Sequence, residues 1–205
     1  MAHILILLAG SSFLAVLLFK GWCLRLAGYD VKGRPPVSRP VFLAGKTAMG
    51  LLWGLTLWRA AAAVRMPGEP VTWLQYSGTI LFVAGSSVAL ISFAALGREL
   101  RFGLPNGNCR LKASGIYSWS RHPMYTGFFL MAGGAALYVG TPLAVVCLLV
   151  AVGIHHRVAL AEERFMARHF GVAWQAYTEN VPRYGGLIYT LLKRSEQGHD
   201  QRHWS

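Results

Sequence analysis

The 205-residue sequence is short of charge and shorter still of acids: 14% of its residues are charged, with 8 Asp and Glu against 20 Lys and Arg. A typical soluble domain is about 25% charged, and a disordered chain has few hydrophobic residues; here 54% are hydrophobic. That composition excludes disorder and argues against a soluble globule. Cysteine is scarce too. Cys23, Cys109 and Cys147 contain no CxxC pair and are odd in number, so neither a disulfide framework nor a thiolate zinc site is supported, and no metal is expected. No internal repeat or low-complexity linker is present, and the length suits a single domain. No acid falls within any long apolar run, which weighs against a coupled transporter, because such proteins bury ionisable groups at mid-depth.

The apolar residues gather into five stretches, at roughly 3–19, 41–64, 71–96, 123–138 and 142–160, near the ~20 helical residues that cross a hydrocarbon layer. The expected fold is all-α, a polytopic membrane bundle of about five spans with a helical segment after the last. The first stretch is read as a retained span instead of a secretory signal, since basic residues follow it and do not precede it. Val139 to Pro142 is expected to turn spans four and five into a hairpin, with Gly140 supplying flexibility and Pro142 suited to a helix start. The expected organisation is one unit over 1–205, with N-terminal spans in 1–96, a loop, hairpin and cap in 97–185, and a polar tail in 186–205. Lys32 to Pro40, with Pro35, Pro36 and Pro40, reads as an extended connector.

Seventeen of the 20 basic residues then fall on one side of the membrane. Lys20, Arg25, Lys32, Arg34 and Arg39 separate spans one and two; Arg98, Arg101, Arg110, Lys112 and Arg121 separate three and four; Arg157, Arg164, Arg168, Arg183, Lys193, Arg194 and Arg202 follow span five. Only Arg65 stands between spans two and three. The positive-inside rule therefore puts the N-terminus outside and the C-terminus in the cytosol. The charge reads as orientation, with no nucleic acid as partner. Lys46 and Arg59 are expected to snorkel from span two. His199 and His203 have helical metal-ligand spacing but no third ligand, and read as a solvated tail.

The most informative run is Leu111 through Tyr117 to Arg121-His122-Pro123-Met124-Tyr125 and Gly127. Proline at a first helical position fixes the backbone angle and has no donor to leave unpaired, so span four is expected to start at Pro123. Its free amides and positive dipole end, beside Arg121 and His122, could cradle a carboxylate. The plain alternative is that Arg121 anchors the helix at the headgroups and His122 caps it. Running spans four and five antiparallel at ~1.5 Å per residue returns the chain to the depth of Pro123 near residues 158–163, where Glu162 and Glu163 stand. Adjacent helical residues point about 100° apart, so one carboxylate is expected to face the site and its twin solvent. Gly171 should stop the helix. Trp174, Tyr177 and Val181 recur at helical spacing, as in a short amphipathic helix able to roof a pocket.

The succession Leu111, Gly115-Ile116-Tyr117, Arg121 to Tyr125 with Gly127, then Glu162-Glu163, Phe170-Gly171, Tyr177 and Val181-Pro182-Arg183 resembles the isoprenylcysteine carboxyl methyltransferase family and its phospholipid methyltransferase relatives. The resemblance covers roughly the C-terminal 90 residues. It implies S-adenosylmethionine as methyl donor, bound in a cytosol-facing pocket, and a lipophilic acceptor that arrives from the bilayer. Leu111, Tyr117, His122, Pro123, Tyr125, Glu162 and Glu163 would contact the cofactor, with Leu111 near the adenine; Arg121 and Glu163 would act on the acceptor. Family members commonly carry a basic residue about a turn before the glutamates, where this chain has Val158 and Arg157 stands one place off. Two other readings stay open. An NADPH-dependent membrane sterol reductase ends in a similar Arg-His-Pro-x-Tyr stretch, but usually with Asn where Met124 stands and an acid where Phe128 stands. A non-enzymatic transporter-like protein would draw on the packing glycines Gly50, Gly54, Gly133 and Gly134.

Overall fold

A computed structural model of the protein describes residues 1–29, 33–66, 68, 70–100, 103–104 and 110–185. Lys32, Arg101, Cys109 and the tail with Lys193, Arg194, His199, Arg202 and His203 lie outside the described residues. Among the described residues the regular elements are all helical: α1 (Ala2–Leu26), α2 (Arg39–Arg65), α3 (Trp73–Leu96), α4 (Pro123–Val139), α5 (Pro142–Phe170) and α6 (Val172–Asn180), with short 3₁₀ turns at Gly97–Glu99 and Gly115–Ser118. Four of them, α1, α2, α3 and α5, are 24 to 29 residues long and apolar enough to cross a membrane. The protein is an integral membrane helix bundle.

The fifth apolar helix, α4, has 17 residues, of which eleven are buried. It is the centre of the bundle, packed most extensively on α3 and flanked by α2 and α5. α3 and α4 run antiparallel with their backbones in contact. A Cβ placed on Gly78 would stand 2.6 Å from the Gly134 carbonyl oxygen, and one on Gly85 would stand 2.6 Å from that of Gly127. Small residues permit this approach, which supplies dispersion contacts where lipid offers no hydrophobic drive. Gly50, Gly54 and Gly133, by contrast, face open space. Of the packing glycines named from the sequence, Gly134 alone lies in the α3–α4 seam, which runs through Gly78, Gly85, Gly127 and Gly134.

Two helices outrun their apolar stretches. α1 continues to Leu26, past Lys20, whose ammonium donates to the Phe93 carbonyl and ties α1 to the end of α3. α5 has 29 residues, or ~44 Å of helix, against a hydrocarbon core of ~30 Å. Its last turns, from Glu162 to Phe170, therefore project beyond the core. The hairpin turn is as expected: α4 ends at Val139, Gly140 takes φ 64°, and the Thr141 hydroxyl accepts from the Ala144 amide at the start of α5. The connector before α2 is pinned by Arg34, which exchanges two 2.8 Å backbone hydrogen bonds with Leu104.

Candidate functional site

The site forms where the start of α4, the end of α5 and the chain after α6 meet. Pro123 opens α4 and is fully buried, with His122 in a non-helical conformation before it. The segment 181–184 crosses this helix start. The Arg121 amide donates to the Pro182 carbonyl at 2.9 Å and the His122 amide to the Arg183 carbonyl at 3.2 Å, while the Ser120 hydroxyl donates to the same Arg183 oxygen at 2.8 Å. The two amides just ahead of α4 are thus bonded to the chain itself and tie residues 182–183 to the helix start.

The carboxylates that reach the start of α4 belong to α5. Tyr125 donates from its hydroxyl to Glu162 Oε1 at 2.8 Å. Glu163 receives a two-pronged contact from Arg183, Nε to Oε1 at 2.9 Å and Nη2 to Oε2 at 2.6 Å. Arg121 Nε stands 3.5 Å from the same Oε1. His122 lies between the two acids, Nε2 at 3.3 Å from Glu163 and Nδ1 at 3.8 Å from Glu162. Neither glutamate is turned out to solvent, contrary to the expectation that one would be. The 100° between adjacent side chains is spanned because Tyr125 meets one and the 181–184 segment meets the other.

Beside these groups lies a small, partly open cleft of about 150 Å³. Leu111, Tyr117, Arg121, His122, Tyr125 and Glu162 line it, whereas Pro123 and Glu163 sit behind its wall. Residues that the motif reading did not assign to the cofactor complete the lining, among them Leu96 at the end of α3, Glu99 in the 3₁₀ turn after it, Arg110, Lys112, Met124 and Met166. Trp174 and Tyr177 of α6 form its roof, packed with Val181 over Leu111, Met166 and Phe170. The Tyr177 hydroxyl donates to the Tyr117 carbonyl at 2.6 Å and holds the roof to the loop. Burial pushes the Tyr177 phenol up to about 12. Burial, followed by the neighbouring Tyr177 and Glu162, holds the Tyr117 phenol well above its usual range. Both are therefore hydrogen-bond donors, not bases, at ordinary pH.

Arg183 stood in the sequence motif without a role; the structure gives it two, through its side chain on Glu163 and its carbonyl on Ser120 and His122. Tyr184, whose ring packs on Phe129 and His122 and whose hydroxyl contacts His156 at 3.1 Å, carried no signal in the sequence. Val158 is buried in the core and Arg157 is exposed, so Arg157 does not direct a basic group inward at this turn of α5. Among the described residues no group of three His, Cys, Asp or Glu side chains is placed to hold a metal ion.

Residues 73–173 match the family model of phospholipid methyltransferases. The chain is 29% identical over 118 residues to a protein-S-isoprenylcysteine O-methyltransferase of Xenopus laevis, covering 56% of this chain and 41% of the relative. It is 28% identical to the Homo sapiens protein of the same name, covering 56% and 42%. A probable protein-S-isoprenylcysteine O-methyltransferase of Oryza sativa subsp. indica is 24% identical over 162 residues, covering 77% and 84%. The chain thus spans about two fifths of the length of the first two. No solved structure matches it. The resemblance read from the motif run is borne out: the stretch from α3 through α5 that supplies the glutamate pair lies within residues 73–173, which match the phospholipid methyltransferase model.

Proposed function

We propose that the cleft binds S-adenosylmethionine and that the protein transfers its methyl group to a lipophilic acceptor, most simply the carboxylate of an isoprenylcysteine-type substrate. The observation that carries this reading is the Tyr125–Glu162 hydrogen bond at the floor of a cleft roofed by Trp174 and Tyr177. The donor set fits the group: a half-buried acid, Glu162, for a cation, apolar and aromatic walls for a nucleoside, and Arg110 and Lys112 at the exposed rim for an amino-acid carboxylate. Arg121 Nε and His122 Nε2 are both buried and both directed at Glu163 Oε1, at 3.5 Å and 3.3 Å.

When bound, S-adenosylmethionine supplies a sulfonium-linked methyl open to in-line displacement. The protein's share is positioning and exclusion of water. Trp174, Tyr177 and Leu111 cover the cleft, and Leu96, Leu104 and Met124 give it an apolar flank suited to a prenyl chain. Arg121 is the residue proposed to hold an acceptor carboxylate by its remaining guanidinium donors. A carboxylate acceptor already carries its lone pair, so no strong base is needed; an amine acceptor would need one of the glutamates to take the proton, and Glu162 is the one that lines the cleft. A carboxylate near a sulfonium favours binding in the ground state and does not by itself speed transfer. In this reading the whole chain acts as one unit, with the N-terminus outside and the cleft and C-terminus cytosolic, an orientation supported by the bias of Lys and Arg.

The test is calorimetry of detergent-solubilised protein with S-adenosylhomocysteine and with NADPH, followed by transfer of labelled methyl to prenylcysteine, lipid-amine and thiol acceptors. Binding of S-adenosylhomocysteine and labelling of the prenylcysteine are expected. Binding of NADPH instead would overturn the reading in favour of a reductase.

A further inference from the structure

The lipid-facing side of α5 changes character along its length. Val146, Val150 and Gly153 are exposed on it, and Arg157, Arg164 and Arg168 follow, exposed as well. At ~100° per residue these six positions fall within ~60° of one another, and Glu162 points to the opposite side of the helix. One face of one helix is thus apolar at its deep end and basic at its projecting end. Among the described residues no acid lies within ion-pair distance of the three arginines. Arg168 Nε donates to the Arg164 carbonyl at 3.2 Å, which holds its guanidinium back along the helix toward Arg164.

The depth of the row identifies what faces it. The Tyr125–Glu162 hydrogen bond levels Glu162 with the first turn of α4. Arg157 is then ~8 Å on the bilayer side of that level, and Arg164 and Arg168 are ~3 Å and ~9 Å beyond it. The polar headgroup layer occupies ~5–7 Å on each side of the hydrocarbon core. Arg164 stands within that layer, Arg168 at its outer edge, and Arg157 can extend its long side chain up to it. A face that looks onto acyl chains at Val146 and Val150 looks onto the headgroups of the same lipids at the arginines, whose forked donors match phosphate. We propose that Arg157, Arg164 and Arg168 bind the phosphate of an anionic phospholipid in the leaflet beside the cleft, and so anchor the projecting end of α5. The inference concerns the outer side of that helix and stands apart from the methyl-donor reading.

A ligand that binds the folded state raises Tm as its concentration rises, so thermal unfolding in a neutral detergent, titrated with lipid, reads the site directly. Phosphatidylglycerol should raise the Tm of the wild type and phosphatidylcholine should not. Arg164→Gln combined with Arg168→Gln should need about tenfold more phosphatidylglycerol for the same rise, in line with the contribution of each basic residue at an anionic surface. Arg25→Gln combined with Arg39→Gln removes the same charge from two other exposed arginines and should stay within about twofold of wild type. Arg164→Gln alone, read in the same way, takes the place of the first pair if that variant does not fold. Equal losses in the two double variants would reduce the effect to net charge and overturn the site. So would a wild type indifferent to phosphatidylglycerol. A Tm rise as large with glycerol phosphate or a soluble poly-glutamate peptide would overturn the lipid as occupant and make the row a site for soluble anions.

Discussion

Tyr125 and Glu162 are 37 residues apart in sequence and joined by a 2.8 Å hydrogen bond, which closes the hairpin of α4 and α5 at the end opposite its turn. The bond makes the start of one helix and the far end of the next a single structure. Tyr125→Phe removes the donor and leaves the Glu162 oxygen short of a partner. A hydrogen bond to a charged group contributes ~1.5–3 kcal/mol net, so S-adenosylhomocysteine affinity should fall by about tenfold, equivalent to ~1.4 kcal/mol. Calorimetry reads this, with circular dichroism showing unchanged helix content. Undiminished affinity would remove this hydrogen bond from the binding site.

The roof predicts a separable effect. Trp174 is buried with Tyr177 and Val181 in a cluster distinct from the bundle core. Trp174→Ala should weaken the docking of α6 on the order of 3 kcal/mol, as for a buried Trp cut to Ala, and leave the bundle standing. Hydrogen exchange should speed up across Val172–Asn180 and stay slow in α3 and α4, while S-adenosylhomocysteine affinity drops. Uniform loss of protection throughout the bundle would show that the roof and the bundle do not come apart.

Alkaline pH should also act at this end of the molecule. The Tyr177 phenol is pushed up to about 12 by burial, and so is that of Tyr184, where Arg183 partly opposes the shift. In the unfolded chain a phenol ionises near ~10. Between those values the unfolded state gives up protons that the folded state keeps, so the folded state becomes relatively less stable as pH rises; below the unfolded value both forms are protonated and there is no effect. Melting in detergent should show Tm falling from about pH 10 upward, and Tyr184→Phe should fall less steeply than wild type. Identical slopes would rule out Tyr184 as a contributor.

Hydropathy made the spans legible because the bilayer selects by apolar length, but it marks the lipid and not the helix. That is why α1 runs on past Lys20 and α5 past residue 160: backbone hydrogen bonding continues where the hydrocarbon stops. Pro123, Gly140, Pro142 and Gly171 could be read as starts and stops because each fixes or frees a backbone angle. The convergence of His122 with the glutamates followed from helix rise alone. The inward turn of both glutamates did not, because it depends on Arg183 and the course of residues 181–184, which no helical period governs. Thr72 and Gln75, which form a reciprocal cap on α3, show a further signal of known pattern that hydropathy passes over.

Glycine spacing was the least reliable guide, since a pair of glycines four apart names a face without saying what lies against it. Gly50 and Gly54 meet nothing within 4 Å, whereas a Cβ on Gly85 would stand 2.6 Å from both the Gly127 oxygen and the Met131 nitrogen. Those obstacles are backbone and cannot swing aside, so the helices must part. Gly85→Leu should therefore cost more than the ~1–3 kcal/mol typical of overpacking among side chains and lower Tm by many degrees, with loss of S-adenosylhomocysteine binding as α4 is displaced. Gly50→Leu adds a larger side chain on an open face and should leave both measurements close to wild type in detergent. The contrast is the test: if Gly50→Leu proved as damaging as Gly85→Leu, the outward face of α2 would have to carry a contact as close as the α3–α4 seam.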